Sequence, residues 1–422
     1  MLLLYKVMLS AIELILNKLE ENKKLGLYRN IPGLSFNKNT SETEGSETFP
    51  AINNLFAKRN GRDLNYSTET VNLATNDYLG LSKNERVKTA ARKAINLYGT
   101  SASSSFLISG HSDIHEKFEK ELCKFKGGYE NCILYPSGYQ ANIGIVKALS
   151  GLSPLKTFIT FDELSHASII DGVLSSGVKF KSFKHNDLKN LSDILDKHRN
   201  NKIKIVITEG VFSMDGDIPD LSGILNITKR NDALCIVDDA HATGTIGEKG
   251  GGSADFHDAR PDAIIGTMGK ALASNGAFVL SNGPIIEYLI NFSRPFIYST
   301  GIPPASAASG LEALSVIKEN PGLVKTLREN SEFARNYLRQ SGLNILNSST
   351  HIIPILIGDE NLAASIEKEL LNAGIYLKAV RYPTVPKKSA RLRLGINAGI
   401  DSAVLKNAIK EIADIILKKR IS

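Results

Sequence analysis

Tryptophan is missing from this 422-residue sequence, and cysteine occurs only at Cys123, Cys132 and Cys235. An odd number of cysteines with no CxxC pair argues against a disulfide framework or a structural zinc site. It favours a reducing, cytoplasmic setting. Long apolar runs are also missing. The opening MLLLYKVMLSAIELIL is interrupted by Lys6 and Glu13, and no small-residue cleavage site follows. It therefore reads neither as a secretory signal nor as a membrane span. Apolar residues at Ile12, Leu14, Ile15 and Leu19 predict an amphipathic helix instead. No basic run with interleaved aromatics points to nucleic acid. The net charge of +7 suits an anionic partner, although a lysine-rich surface explains it equally well.

The chain is long enough for two or three domains. Residues 36–68 are polar and weakly periodic, and read as an irregular connection after the first helix. Short β-branched or apolar runs then recur at Cys132–Tyr135, Thr157–Phe161, Ile203–Thr208, Leu234–Val237, Ala263–Ile265 and Ala277–Leu280. Helix-like spacing separates several of them. This alternation predicts an α/β domain with a mainly parallel sheet, whose ligand lies beyond the carboxyl ends of the strands. Past residue 310 the pattern changes. Helical spacing through Leu311–Leu338 precedes a strand at His351–Ile357, a helix at Leu362–Ala373, a strand at Arg391–Ile396 and a helix at Ser402–Lys419. The expected division is residues 1–75 for the helix and connection, 76–310 for the large domain and 311–422 for a smaller α+β domain.

Chemistry-bearing residues follow the strand runs. LCIV ends in Asp238-Asp239-Ala240-His241. A carboxylate at a strand end can bind metal or keep a pyridine nitrogen protonated. AIIGTMGK ends in Lys270, an amine that can form a Schiff base with a carbonyl. A nucleotide phosphate loop would need Ser or Thr after that lysine, and Ala271 stands there. Ser137, Gly138 and Tyr139 open a helix whose free N–H groups suit a phosphate, with the Thr267 hydroxyl as a further donor. His166 follows TFITFD and offers a ring that can stack on a flat cofactor or simply cap a helix.

In this order and spacing, LATNDYLGLS, YPSGYQAN, ELSHASIIDG, TEGVFSMDGD, VDDAHATGTIGEKGGG, GTMGKALASNGAF, FIYSTGIPPA and YPTVPKKSARLRLGIN resemble the signatures of the α-oxoamine synthases over residues 15–420. The resemblance implies the fold type I, aminotransferase-like architecture, with a seven-stranded sheet and pyridoxal 5′-phosphate (PLP) as cofactor. It makes Lys270 the PLP lysine, Asp238 the partner of the pyridine nitrogen, His241 a partner of the ring hydroxyl and His166 the stacking ring. Ser137, Gly138, Tyr139, Ser213 and Thr267 lie around the cofactor in such enzymes. Thr300 matches a phosphate contact made from the partner subunit of a homodimer. Arg381, helped by Asn76, matches the clamp on the amino acid carboxylate, and Arg29 and Thr384 match acyl-substrate positions.

DDAHATG and PTVP look most like the branch that joins a pimeloyl thioester, on coenzyme A or acyl carrier protein, to L-alanine. Acetyl transfer to glycine and palmitoyl transfer to serine are the neighbouring chemistries. A transaminase shares the lysine and aspartate, and a catalytically silent partner subunit is the non-enzyme alternative. One stretch departs from the family. Gly99-Thr100 is followed by Ser101-Ala102-Ser103-Ser104-Ser105-Phe106, where glycines ending in a basic residue are usual. Serine backbones have less freedom than glycine. The apolar Phe106 is expected to line a tunnel for methylene groups.

Overall fold

The computed structural model describes residues 2–24, 28, 33–36, 55–59, 62–64 and 70–421. Its centre is a seven-stranded sheet. The strands in chain order are β1 (Asn131–Tyr135), β2 (Thr157–Asp162), β3 (Lys179–Phe183), β4 (Ile203–Glu209), β5 (Leu234–Asp238), β6 (Ala263–Thr267) and β7 (Ala277–Ser281). Their order in space is β1-β7-β6-β5-β4-β2-β3, and β7 alone runs antiparallel to its neighbours. Successive side chains leave opposite faces. Phe158, Val206, Cys235 and Val237 enter one core, while Ile159, Ile205, Ile207 and Ile236 enter the other. Both faces are covered, so these strands read as continuous apolar runs.

The sequence patterns foresaw six of these strands and missed β3. Its residues KFKSF are exposed except for Phe183. It is the sheet's edge, where lysines hinder further pairing and dilute the apolar signal. Beside β7, Gly266 is required by packing: a Cβ there would stand 2.1 Å from the ring of its cross-strand partner Phe278.

Two further expectations need correction. The spacing through 311–338 belongs to two helices, Pro304–Glu319 and Gly322–Gln340, broken at Asn320-Pro321. Proline lacks the N–H that a continuing helix would use. The 36–68 connection is not wholly irregular either. Gly33–Phe36, Leu55–Arg59 and Arg62–Leu64 form a three-stranded antiparallel sheet. Each is only three to five residues long, too short for a periodic signal.

The C-terminal part has a three-stranded antiparallel sheet of Ile352–Gly358, Ala390–Gly395 and Ala379–Val380, with helices Glu360–Asn372 and Ser402–Ile421. Val71–Asn72 pairs in parallel with Ile375–Tyr376, which steers the following residues, Asn76 and Tyr78 among them, toward the large sheet. The N-terminal helix Leu2–Lys24 carries the expected apolar residues, but Ile12, Leu14, Ile15 and Leu19 are all exposed. Among the described residues, no helix is long and apolar enough to cross a membrane.

Candidate active site

Residues beyond the ends of β5 and β6 and two distant segments, those of Tyr78 and Arg393, meet around Lys270. Its Nζ lies 2.8 Å from His241 Nε2, and the other ring nitrogen, Nδ1, lies 2.7 Å from the Tyr78 hydroxyl. Tyr78 donates to Asn76 Oδ1 at 2.9 Å and accepts from Arg393 Nη2 at 3.2 Å. Arg393 also donates to Asn76 Oδ1 at 3.3 Å and, through Nε, to the Ser213 carbonyl at 2.6 Å. The proton order along these bonds follows the charge of Lys270. A protonated Lys270 donates to Nε2, so the His241 proton sits on Nδ1 and is given to Tyr78, which donates onward to Asn76.

Burial lowers the Lys270 pKa to about 8, against the opposing pull of Asp238 and Glu209. A larger share of the amine is therefore neutral near physiological pH than for an ordinary lysine. Burial, then the charges of Lys270 and Arg393, push His241 well below the usual imidazole range.

Each carboxyl oxygen of Asp238 receives a hydrogen bond, and no salt bridge to it is formed among the described residues. Asn142 Nδ2 donates to its Oδ2 at 2.7 Å and the Ala240 N–H to its Oδ1 at 3.0 Å. Asn142 also donates to Ser168 at 2.9 Å. His166 caps the helix Ala167–Ser176: its Nδ1 accepts from the Ser168 N–H at 3.2 Å. That leaves Nε2 as the proton-bearing nitrogen of a neutral ring, which burial keeps below the usual imidazole pKa.

At the other end of the cluster, Ser137 caps the helix Gly138–Ser150 by accepting from the Gln140 N–H. A Cβ on Gly138 would meet only the Thr267 Cβ, at 4.0 Å, so the helix N-terminus is open toward Thr267. Thr267 Oγ1 donates to the Gly276 carbonyl and accepts from the Gly269 N–H. Free amide groups, a hydroxyl and the helix dipole suit a phosphate. Together, the amine, the carboxylate, the open helix end and His166 fit PLP.

The remaining expected residues scatter. Tyr139 is 45% exposed and bonds Asp171. Thr300 is exposed and bridges to Ser105. Arg381 and Thr384 share the loop after Ala379–Val380, where the Thr384 N–H donates to the Arg381 carbonyl at 3.0 Å. This loop borders a cleft of about 950 Å³ beside the N-terminal helix. Arg29 lies outside the described residues.

Phe106 is not a tunnel residue. It is buried against Phe296, His111 and His115, with ring centroids 5.8, 5.7 and 5.4 Å away. It packs over Gly301, where a Cβ would stand 2.6 Å from its ring.

Three residues of the cluster escaped the sequence reading. Tyr78, Glu209 and Arg393 all sat inside quoted motifs without a role. Arg393 gave little signal, because the alternation Arg391-Leu392-Arg393-Leu394 reads equally as a strand with one solvent face.

Residues 68–412 match the family described as aminotransferase class I and II, and the chain belongs to it. The 8-amino-7-oxononanoate synthase of Thermoanaerobacter pseudethanolicus is 36% identical over 405 residues, covering 94% of this chain and 95% of that protein. The solved 8-amino-7-oxononanoate synthase of Francisella tularensis superposes with a TM-score of 0.71 at 29% identity, over 83% of this chain and 99% of that one. A structure of SPT with PLP gives a TM-score of 0.80 at 26% identity, over 89% and 92% of the two chains.

Proposed function

We propose that this chain is a PLP-dependent α-oxoamine synthase that condenses an amino acid, L-alanine first, with a pimeloyl thioester of coenzyme A or acyl carrier protein, releasing carbon dioxide and the thiol. The observation that carries this reading is the placement of Lys270, His241 and Asp238 at neighbouring strand ends, in a chain whose near full-length relative is an 8-amino-7-oxononanoate synthase.

Bound PLP would supply an electron sink for negative charge at the amino acid's α-carbon. The protein's residues do the rest. Lys270 would hold the cofactor, and its amine, softened to a pKa of about 8, is suited to take the α-proton. Asp238 would face the pyridine nitrogen, and its fixed carboxylate favours the protonated form. His241 would meet the ring hydroxyl. His166 would lie on the ring face with its Nε2 proton free to bond a carbonyl oxygen of the acyl donor. An arginine must orient the substrate carboxylate, and a guanidinium does so with two parallel bonds. Arg393 is joined to Tyr78 and Asn76 within the cluster, so we assign it this role beside Arg381.

The site is read as shared across a homodimer. Thr300 is exposed, and apolar Leu107, Ile108 and Tyr298 nearby are 49%, 81% and 69% exposed. An apolar patch of this kind suits a second copy of the chain.

The test is a matrix of specificity constants for acetyl, pimeloyl and palmitoyl thioesters with glycine, alanine and serine. Pimeloyl with alanine is expected to lead. Each buried methylene is worth roughly 0.8 kcal/mol, so chain length registers clearly. Preference for acetyl with glycine, or palmitoyl with serine, overturns the substrate and leaves the reaction class. Amino-group transfer without any acyl donor overturns the class.

A further inference from the structure

Glu209 ends β4 and Asp238 ends β5. They are register partners on adjacent parallel strands, so their side chains leave the sheet on the same side. Glu209 is 2% exposed and Asp238 is 6% exposed. Two carboxylates buried side by side resist ionising together, since each charge opposes the other. The donors are unevenly divided between them. Asp238 receives one on each oxygen, from Asn142 and Ala240. Glu209 Oε1 receives the backbone N–H of His166 at 2.5 Å.

The charged groups facing Glu209 are Asp238 on β5, Asp162 at the end of β2 and Lys270 beyond β6. Lys270 also answers to Asp238. A single cation cannot offset three carboxylates. Asp162 has its own cation in His185, 2.9 Å away, which leaves Glu209 and Asp238 to divide Lys270.

We propose that Glu209 is a positioning residue. As a neutral carboxylic acid it anchors the backbone of His166 and leaves Asp238 as the single negative charge presented to the cofactor ring. Burial, followed by the Asp238 charge, pushes Glu209 well above the usual carboxylate range, in keeping with this state. The arrangement has two consequences. His166 stays at a fixed height over the ring position, because its amide is tied to the sheet. The pyridine nitrogen meets one carboxylate rather than a diffuse pair. The inference rests on the PLP reading of the site for its function, but the protonation of Glu209 does not.

The experiment is difference infrared spectroscopy of the wild type against Glu209→Gln at neutral pH, in light and heavy water. The expected result is a protonated-carboxyl carbonyl band, shifted in heavy water and absent from the variant. The kinetic arm compares Glu209→Gln with Glu209→Ala. Glutamine copies the shape of a neutral acid and still accepts the His166 N–H, so it should recover most of what alanine loses. We expect kcat to fall at least tenfold in the alanine variant, with a nearly unchanged amino acid KM, and to return within about threefold of wild type with glutamine. The absence of the band, or a glutamine variant as impaired as the alanine one, overturns the inference. Should the alanine variant not fold, the infrared band together with the glutamine variant's kcat decides. If PLP is never taken up, the functional reading fails first, and the band measured on the cofactor-free protein still tells whether Glu209 is neutral.

Discussion

Two histidine clusters sit on the same carboxyl edge of the large sheet, and they are built to opposite charge states. At the β5–β6 end, His241 is buried among Lys270, Tyr78 and Arg393, and its pKa is driven well below normal. At the β2–β3 end, His185 stands between Asp162, 2.9 Å from Nδ1, and Asp217, 2.7 Å from Nε2. Those carboxylates outweigh its partial burial and raise its pKa to about 10. Burial opposes charge on both rings, and it is deeper at His241, where it is the largest cause of the low pKa. The neighbours act in opposite senses: cations beside His241 add to burial, and carboxylates beside His185 override it. The neutral ring can pass hydrogen bonds along a chain. The charged one ties two loops together, because Asp162 leads into the segment of His166 and Asp217 belongs to the loop of Ser213.

The sharpest way to break this contrast is to remove a cation. Lys270→Ala should abolish turnover, by roughly 10²–10⁴-fold from the proton-transfer role alone and further through loss of cofactor attachment. The same variant sharpens the comparison. The Lys270 charge is the second cause of the low His241 pKa, behind burial. In the variant, the His241 pKa should rise, yet the ring should stay neutral at pH 7. Imidazole NMR reads both. A fully charged His241 in that variant would show that neighbours outweigh burial on this side too. Near wild-type activity would remove Lys270 from the mechanism.

Arg393 is the other cation of the neutral cluster, and its loss comes next in size. Arg393→Ala removes a buried group bonded to Tyr78, Asn76 and the Ser213 carbonyl. Truncating such a partner costs about 2–5 kcal/mol in binding. At about 1.4 kcal/mol per tenfold, the amino acid KM should therefore rise by roughly one and a half to three and a half orders of magnitude. Arg381→Ala should raise it less, since Arg381 lies on the loop by the open cleft. Steady-state kinetics at saturating acyl donor separates the two. A larger effect at Arg381 would return the carboxylate clamp to the residue that the YPTVP motif suggested.

This contrast marks what the sequence could and could not tell. Lys270, Asp238, His241 and His166 were legible because each follows an apolar strand run, and strand ends are where this class of sheet places its ligands. Tyr78 and Arg393 reach the cluster from 163 residues before and 152 residues after His241, as the sequence positions show. No local pattern carries such a meeting. Phe106 was misread because its environment is tertiary: Phe296 and Gly301 lie almost 200 residues away in sequence and decide that it packs rather than lines a channel. Strand β3 was missed because an exposed edge needs no apolar run. The break at Pro321 was visible in the sequence, and the continuous apolar spacing on both sides concealed it. Asp162, His185 and Asp217 are ordinary loop residues in one dimension. Only the parallel pairing of β2 with both β3 and β4 brings them together.

The smallest expected effect concerns His185, and its sign is opposite to that of Lys270. Its folded pKa of about 10 lies above the unfolded value of roughly 6.5. The folded state therefore holds more protons in between. Its contribution to stability is complete below about pH 6.5 and is lost as pH rises through 10. Lys270 works the other way, because its folded pKa is depressed to about 8 and the unfolded chain binds more protons above that pH. The groups facing His185 are Asp162 and Asp217 on either nitrogen, Glu163 on its backbone N–H, Asn186 beside it and the Phe212 ring against its face. His185→Gln keeps the size and one hydrogen bond but removes the charge. Breaking a fully buried ion pair costs about 3–5 kcal/mol. The His185 side chain retains 21% exposure, which lowers the expected loss to about 1–2 kcal/mol at pH 7. Denaturant unfolding of wild type and variant across pH 6–10 measures it, and subtracting the two curves cancels the Lys270 contribution. The difference should shrink steadily as pH rises. A difference independent of pH would mean that His185 acts by shape alone, and the charged half of the comparison would fall.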